Sequence, residues 1–200
     1  MERLNKELIY NGFLTGAKAV ISNEEHLNLI NVFPIKDNDT GSNLASLMNE
    51  ILTKSTLEHT LKDTLNSISN AALIGSKGNS GLIFSQFFYG LSIDVNDDEL
   101  DLEKLVLSLE NGYNYAYESI ENPVEGTIIT LMRKWVLTLK SFLPHKTDIK
   151  ESLISSNKAL KKALKQTKDE LLVLKKNDVV DAGAKAFTIF VDGFVNSVTN

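Results

Sequence analysis

The sequence predicts an all-α, single-domain protein whose helices run antiparallel to their neighbours around one core. Three observations carry this expectation. Apolar residues recur at three- and four-residue spacing through most of the chain, no stretch alternates as a half-buried strand would, and the segments between periodic stretches are short.

Taken in order, the predicted helices run over about 2–21, 24–30, 42–54, 56–74, 80–92, the stretch DLEKLVLSLENGYNYAYESI from Asp101, 126–143, 147–165 and 182–197. Asp, Ser, Thr or Asn stands near most of their starts, as expected for caps. The stretch from Asp101 shows the pattern at its plainest. Leu102, Leu105, Val106, Leu109, Tyr113 and Ala116 line one helical face, which must turn inward. Trp135, Phe142, Phe87, Phe88 and Tyr113 sit among aliphatic residues at helical spacing, so core packing accounts for them better than base stacking. Lys158, Lys161, Lys162, Lys165, Lys168, Lys175 and Lys176 read as a solvated face.

Composition supports one folded domain over residues 1–200. The chain has 200 residues, 42% of them hydrophobic and 24% charged, with three prolines, and a chain of this length buries roughly 70% of its unfolded surface. A formal charge of -5 offers no general attraction for a nucleic-acid backbone. Cysteine is absent, and His26, His59 and His145 are scattered, so disulfides, thiolate zinc sites and thiol nucleophiles are excluded. The chemistry has to come from oxygen and backbone groups. No apolar run approaches the length of a membrane span, and MERLNKELIY carries acids where a secretion signal has its apolar core, which reads as a cytoplasmic protein.

Four junctions stand out from the regular background. In NVFPIKDNDTGSNL, residues 31–44, Asp37 and Asp39 lie two apart in a non-helical segment and so point the same way, which lets two carboxylates converge on one cation or on a neighbouring pair. Asn31 can add a neutral oxygen. Thr40, Gly41, Ser42 and Asn43 follow at a helix start, where unpaired N–H groups and a partial positive charge suit phosphate. An Asx-rich turn and helix cap without ligand accounts for this stretch equally well when it is taken alone. An EF-hand does not, because Ser42 stands at the sixth position from Asp37 and Met48 at the twelfth.

GSKGNSGLIFSQ, residues 75–86, places three glycines before an apolar helix and puts the N–H groups of Ser80 and Gly81 at its first turn, a second candidate phosphate cradle. It satisfies neither the Walker A pattern nor the nucleophile elbow, where Leu82 would have to be glycine. At NPVEGTIIT, residues 122–130, Pro123 stops one helix and Gly126 and Thr127 start the next. At NDVVDAGAKAF, residues 177–187, Asp181 precedes Ala182 and Gly183 at the head of the last helix. Each alone is good capping; gathered at one end of a bundle, four such helix starts could surround a nucleotide.

NVFPIKDNDTGSNL, GSKGNSGLIFSQ, PVEGTIIT and LLVLKKNDVVDAGAKAF, in this order and spacing, resemble the nucleotide-binding DhaL (DAK2) domain, most closely the N-terminal domain of the fatty acid kinase A family. The similarity runs from about Leu4 to Val198. It implies an antiparallel barrel of eight helices that binds ADP or ATP with two Mg2+ ions at one end. By motif position it implies metal binding by Asp37 and Asp39, which are also the catalytic centre, with Asn31 at a preceding position that is Asp in dihydroxyacetone kinases. It implies nucleotide contacts from Thr40, Gly41, Ser42, Asn43, Asn79, Ser80, Gly81, Thr127, Asp181 and Gly183. Asn38 departs from the glycine common between the two acids, but Asn tolerates a left-handed backbone better than most residues. Ala184 replaces a frequent second glycine.

The resemblance also implies an activity: transfer of the γ-phosphoryl group of ATP to a fatty acid presented by a separate fatty-acid-binding protein, giving an acyl phosphate for phospholipid synthesis. The family's full chain continues with further domains, which leaves room for a homodimer built through them. Two other readings stand beside this one, the nucleotide subunit of a dihydroxyacetone-type kinase, against which Asn31 argues, and a nucleotide-binding regulatory module without turnover.

Overall fold

The computed structural model describes residues 2–200. Its helices are α1 (Lys6–Ile21), α2 (Glu24–Leu29), α3 (Thr40–Lys54), α4 (Leu61–Gly75), α5 (Gly78–Gly90), α6 (Leu102–Glu118), α7 (Ile128–Lys140), α8 (Ile149–Glu170), α9 (Leu172–Asn177) and α10 (Ala182–Thr199). Ten helices thus replace the implied eight, but α2 and α9 have only six residues each. The eight long ones form a closed ring in the order α1, α3, α4, α5, α6, α7, α8, α10 and back to α1.

Several boundaries differ from the sequence expectation for local reasons. α4 starts at Leu61, not near residue 56, because Thr60 caps it by accepting from Asp63 N–H. α8 starts where Asp148 accepts from the N–H groups of Lys150 and Glu151, and it runs five residues beyond 165, with α9 following. One strand pair appears where none was expected: Leu4 and Asn5 (β1) pair antiparallel with Leu100 and Glu99 (β2). It pins the start of α1, where Asn5 Oδ1 accepts from Leu8 N–H at 2.9 Å.

The ring closes over an aromatic core. Phe13 of α1 meets the edges of Phe88, Phe190 and Phe194, and Phe187 of α10 meets Phe84, Phe87 and Trp135. Trp135 also donates to Ser156 Oγ at 3.1 Å, which satisfies its buried N–H. The seam between α1 and α10 depends on small residues, since a Cβ at Gly193 would lie 2.9 Å from the Gly16 Cα. His59 and His145 are exposed, as are Lys158, Lys161, Lys162 and Lys165 on α8. No helix of the described residues is long and apolar enough to cross a membrane.

Candidate functional site

A cavity of about 660 Å³ opens at one end of the ring, within the range of small-molecule sites. Residues from the first turns or capping positions of α3, α5, α7 and α10 line it, together with the loops around 31–39 and 119–127. These four are every second helix around the ring. Alternation of up and down neighbours brings their starts to the same end.

The acidic loop forms one wall. Asn31, only 2% exposed, donates from Nδ2 to Asp37 Oδ1 at 2.7 Å, so a buried amide fixes one carboxylate. Asn38 turns the chain with φ of 54°, the left-handed conformation that asparagine tolerates. Asp39 is the residue before α3, yet its side chain makes no capping bond. Both acids are exposed at the cavity, and among the described residues neither has an ion-pair partner. No group of three His, Cys, Asp or Glu residues is placed to enclose a metal among the described residues. Two unpaired carboxylates without nitrogen or sulfur donors are the incomplete oxygen set that Mg2+ takes when water and phosphate supply the rest.

The start of α5 forms a second wall. Its N-terminal residue Gly78 has φ of +59°, and a Cβ there would come within 2.8 Å of the Asn43 amide nitrogen. Lys77 provides no side-chain cap, and the first backbone bond runs from Gly81 N–H to Lys77 O. The N–H groups of Asn79 and Ser80 precede that bond and stay available at the cavity.

Loop 119–127 is held from behind. Glu125 Oε2 accepts from Thr130 Oγ1 and from Arg133 Nη2, both at 2.7 Å, while Gly126 N–H donates to Thr130 Oγ1 at 2.9 Å. Thr127 donates its hydroxyl to Val124 O at 2.7 Å, which ties the N-cap of α7 into the same loop. On the remaining side, Asp181 accepts from Ala184 N–H at 2.7 Å and caps α10. Burial pushes its carboxyl up to about 6, opposed by the N–H groups of Ala184, Ile128 and Gly183.

The structure therefore brings Asn31, Asp37, Asp39, Thr40, Asn43, Asn79, Ser80, Thr127, Asp181 and Gly183 to one cavity. Three residues singled out as nucleotide contacts lie elsewhere. Gly41 faces α2, where a Cβ would fall 2.1 Å from Glu24 O; Ser42 is hydrogen-bonded to Asn28 and Glu24 in α2; Gly81 packs on Ser76. All three sit one helical face away from the opening, a distinction that the order of residues along a first turn does not show. Conversely, Ile35, Leu82, Ser119, Glu121, Asn122 and Val124 line the cavity without having been singled out. Of these, Ile35, Leu82, Asn122 and Val124 fall within the conspicuous stretches, whereas Ser119 and Glu121 carried no signal; α6 already ends at Glu118, capped by Ser119, five residues before Pro123, which was expected to stop it.

Comparisons with known proteins identify the family of the chain and its fold. The family described as the DAK2 domain matches residues 34–196. Protein YloV of Bacillus subtilis (strain 168) is 32% identical over 192 residues, which cover 92% of this chain and 34% of YloV. A protein of Staphylococcus haemolyticus is 29% identical over 206 residues, covering 100% of this chain and 37% of its own. The chain thus spans about a third of the length of these curated relatives. Among solved structures, the dihydroxyacetone kinase from C. freundii in complex with AMP-PNP and Mg2+ matches with a TM-score of 0.72 at 18% identity, over 98% of this chain and 35% of that one. That likeness is one of fold. Since the matched span takes in the acidic loop, the α5 and α7 starts and nearly all of α10, the chain belongs to the DAK2 domain family.

Proposed function

We propose that this domain binds ATP with two Mg2+ ions and donates the γ-phosphoryl group to the carboxylate of a fatty acid presented by a separate fatty-acid-binding protein. The observation that carries the reading is the meeting of two unpaired carboxylates with uncapped helix N–H groups at one cavity. Phosphate needs the second and its cation the first. The fold-sharing C. freundii kinase has been crystallised with AMP-PNP and Mg2+, which supports the same ligand pair here.

Asp37 and Asp39 hold the cations, with Asn31 fixing Asp37 and offering its own oxygen. Asn79 and Ser80 receive phosphate oxygens through their N–H groups; Thr40, Asn43 and Thr127 flank them; Asp181 and Gly183 shape the α10 side. Bound Mg2+ would neutralise charge on the phosphate oxygens as the transfer proceeds. An acyl carboxylate oxygen forms the new bond to the γ-phosphorus, the bond from that phosphorus to the bridging oxygen breaks, and ADP leaves with that oxygen.

A second reading, transfer to the hydroxyl of a dihydroxyacetone-type substrate, draws on the shared fold. Asn31 weighs against it, because a neutral amide engaged with Asp37 cannot serve as a third anionic ligand. ATP consumption by the protein with Mg2+, measured alone, with an acyl-loaded fatty-acid-binding protein and with dihydroxyacetone, separates these readings. Stimulation by the acyl-loaded protein is expected. Stimulation by dihydroxyacetone favours the second reading, tight nucleotide binding without turnover points to a regulatory module, and failure to bind nucleotide refutes all three.

A further inference from the structure

The residue before a helix, when it is Asp, ordinarily turns its carboxylate onto the N–H of the second or third helical residue. Asp39 holds this place before α3 but, with φ of -118° and ψ of -8° instead of the extended backbone of a capping residue, makes no such bond. Asn28 of α2 makes it instead. Its Oδ1 accepts from Ser42 N–H at 3.1 Å and its Nδ2 donates to Ser42 Oγ at 2.9 Å. Ser42 Oγ in turn donates to Glu24 Oε1 at 2.8 Å. Gly41 lets α2 come this close, because any Cβ there would collide with Glu24 O.

We infer that Asn28 is a positioning residue for the cation-holding acids: by capping α3 from outside, it relieves Asp39 of the cap and leaves that carboxylate free at the cavity. The same short segment serves the other acid, since Asn31, three residues on, fixes Asp37. A pair of asparagines at i and i+3 thus prepares a pair of aspartates at 37 and 39. This deepens the kinase reading and rests on it for the identity of the ligand.

In the absence of Asn28, the Ser42 N–H is orphaned and Asp39 becomes its nearest carboxylate acceptor in sequence. A cation must then compete with a cap bond, which weakens its hold by roughly five- to tenfold. The test uses Asn28→Ala, Asp39→Ala and the double variant in the full chain. Without ligand, Asn28→Ala should lower the melting midpoint modestly, since Asp39 takes over the cap, Asp39→Ala, which removes no cap bond, should leave it nearly as it was, and the double variant should lose more than the two changes added. Asn28→Asp keeps the acceptor and should show no such coupling to Asp39→Ala. Purely additive losses overturn the inference, whatever the ligand.

With Mg2+ and AMP-PNP, Asn28→Ala should raise the Mg2+ concentration for half-maximal binding roughly five- to tenfold, with full binding recovered at high Mg2+. An unchanged Mg2+ requirement in a variant that still binds nucleotide also overturns it. Should the unaltered chain bind no nucleotide, the kinase reading fails, and the melting cycle still decides whether Asn28 relieves Asp39.

Discussion

Asp39 and Asp181 occupy equivalent places, each the residue before a long helix and each bordering the same cavity, yet they do opposite work. Asp181 is 4% exposed and spends its carboxylate on the N–H of Ala184. Asp39 is exposed and spends nothing on α3, whose first turn is served by Asn28. What a capping aspartate can offer a ligand is therefore decided by its neighbours. Backbone and neighbour act together here: Asp181 is extended, with φ of -60° and ψ of 129°, as a capping residue is, whereas Asp39, with φ of -118° and ψ of -8°, is not, and Asn28 from a six-residue helix serves α3 in its place.

The comparison predicts its largest effect at the exposed pair. Asp37→Ala or Asp39→Ala should reduce Mg2+-dependent AMP-PNP affinity by about 100-fold or more, with helical circular dichroism unchanged. Titration calorimetry at saturating Mg2+ measures this, and affinity retained in both variants would erase the distinction drawn here.

Asp181 should betray itself through pH. Its folded carboxyl titrates at about 6, against 3.8 for the ordinary group, so the folded chain binds more protons than the unfolded one between those values and its stability falls as pH rises through them. Asp181→Asn keeps an acceptor for Ala184 N–H and removes the titration. Relative to that variant, the ligand-free protein should lose on the order of 3 kcal/mol between pH 4 and 7, as read from urea unfolding. A difference that does not change with pH would show that burial does not hold the Asp181 carboxyl above its ordinary range.

The smallest effect belongs to Glu125, whose ion pair with Arg133 is largely solvated. Glu125→Ala should cost about 1 kcal/mol of stability through the loosened loop while leaving the Mg2+ requirement as it was. A shift in that requirement as large as the one from Asp39→Ala would give Glu125 the role proposed for Asp39.

Much of this could be read from the chain. Helical spacing gave the all-α class because eight long amphipathic stretches enclose one core, and the acidic loop was conspicuous because Asp37, Asn38 and Asp39 break every helical pattern. What escaped were facts of facing and partnership. Thr40 and Asn43 look into the cavity, whereas Gly41 and Ser42 between them look at α2, and only the docking of α2 decides that. Ser119 and Glu121 reach the site because α6 ends beside α7, a consequence of ring closure that no local motif announces. The pairing of Leu4 with Leu100 was equally hidden, since two-residue strands carry no periodicity.

Ring closure by alternating helices also limits how a charged ligand can be captured. α4 and α6 end just before segments that enter the cavity, so carbonyl-bearing helix ends alternate with the N–H-bearing starts of α3, α5, α7 and α10 around one rim. Their opposed dipoles largely cancel beyond the first turn, and the chain itself carries -5. With charges screened over about 8 Å at physiological salt, an anion gains no guidance from afar. Its encounter rate should accordingly rise as added salt screens the charge of -5, and selection takes place only on contact, amide by amide.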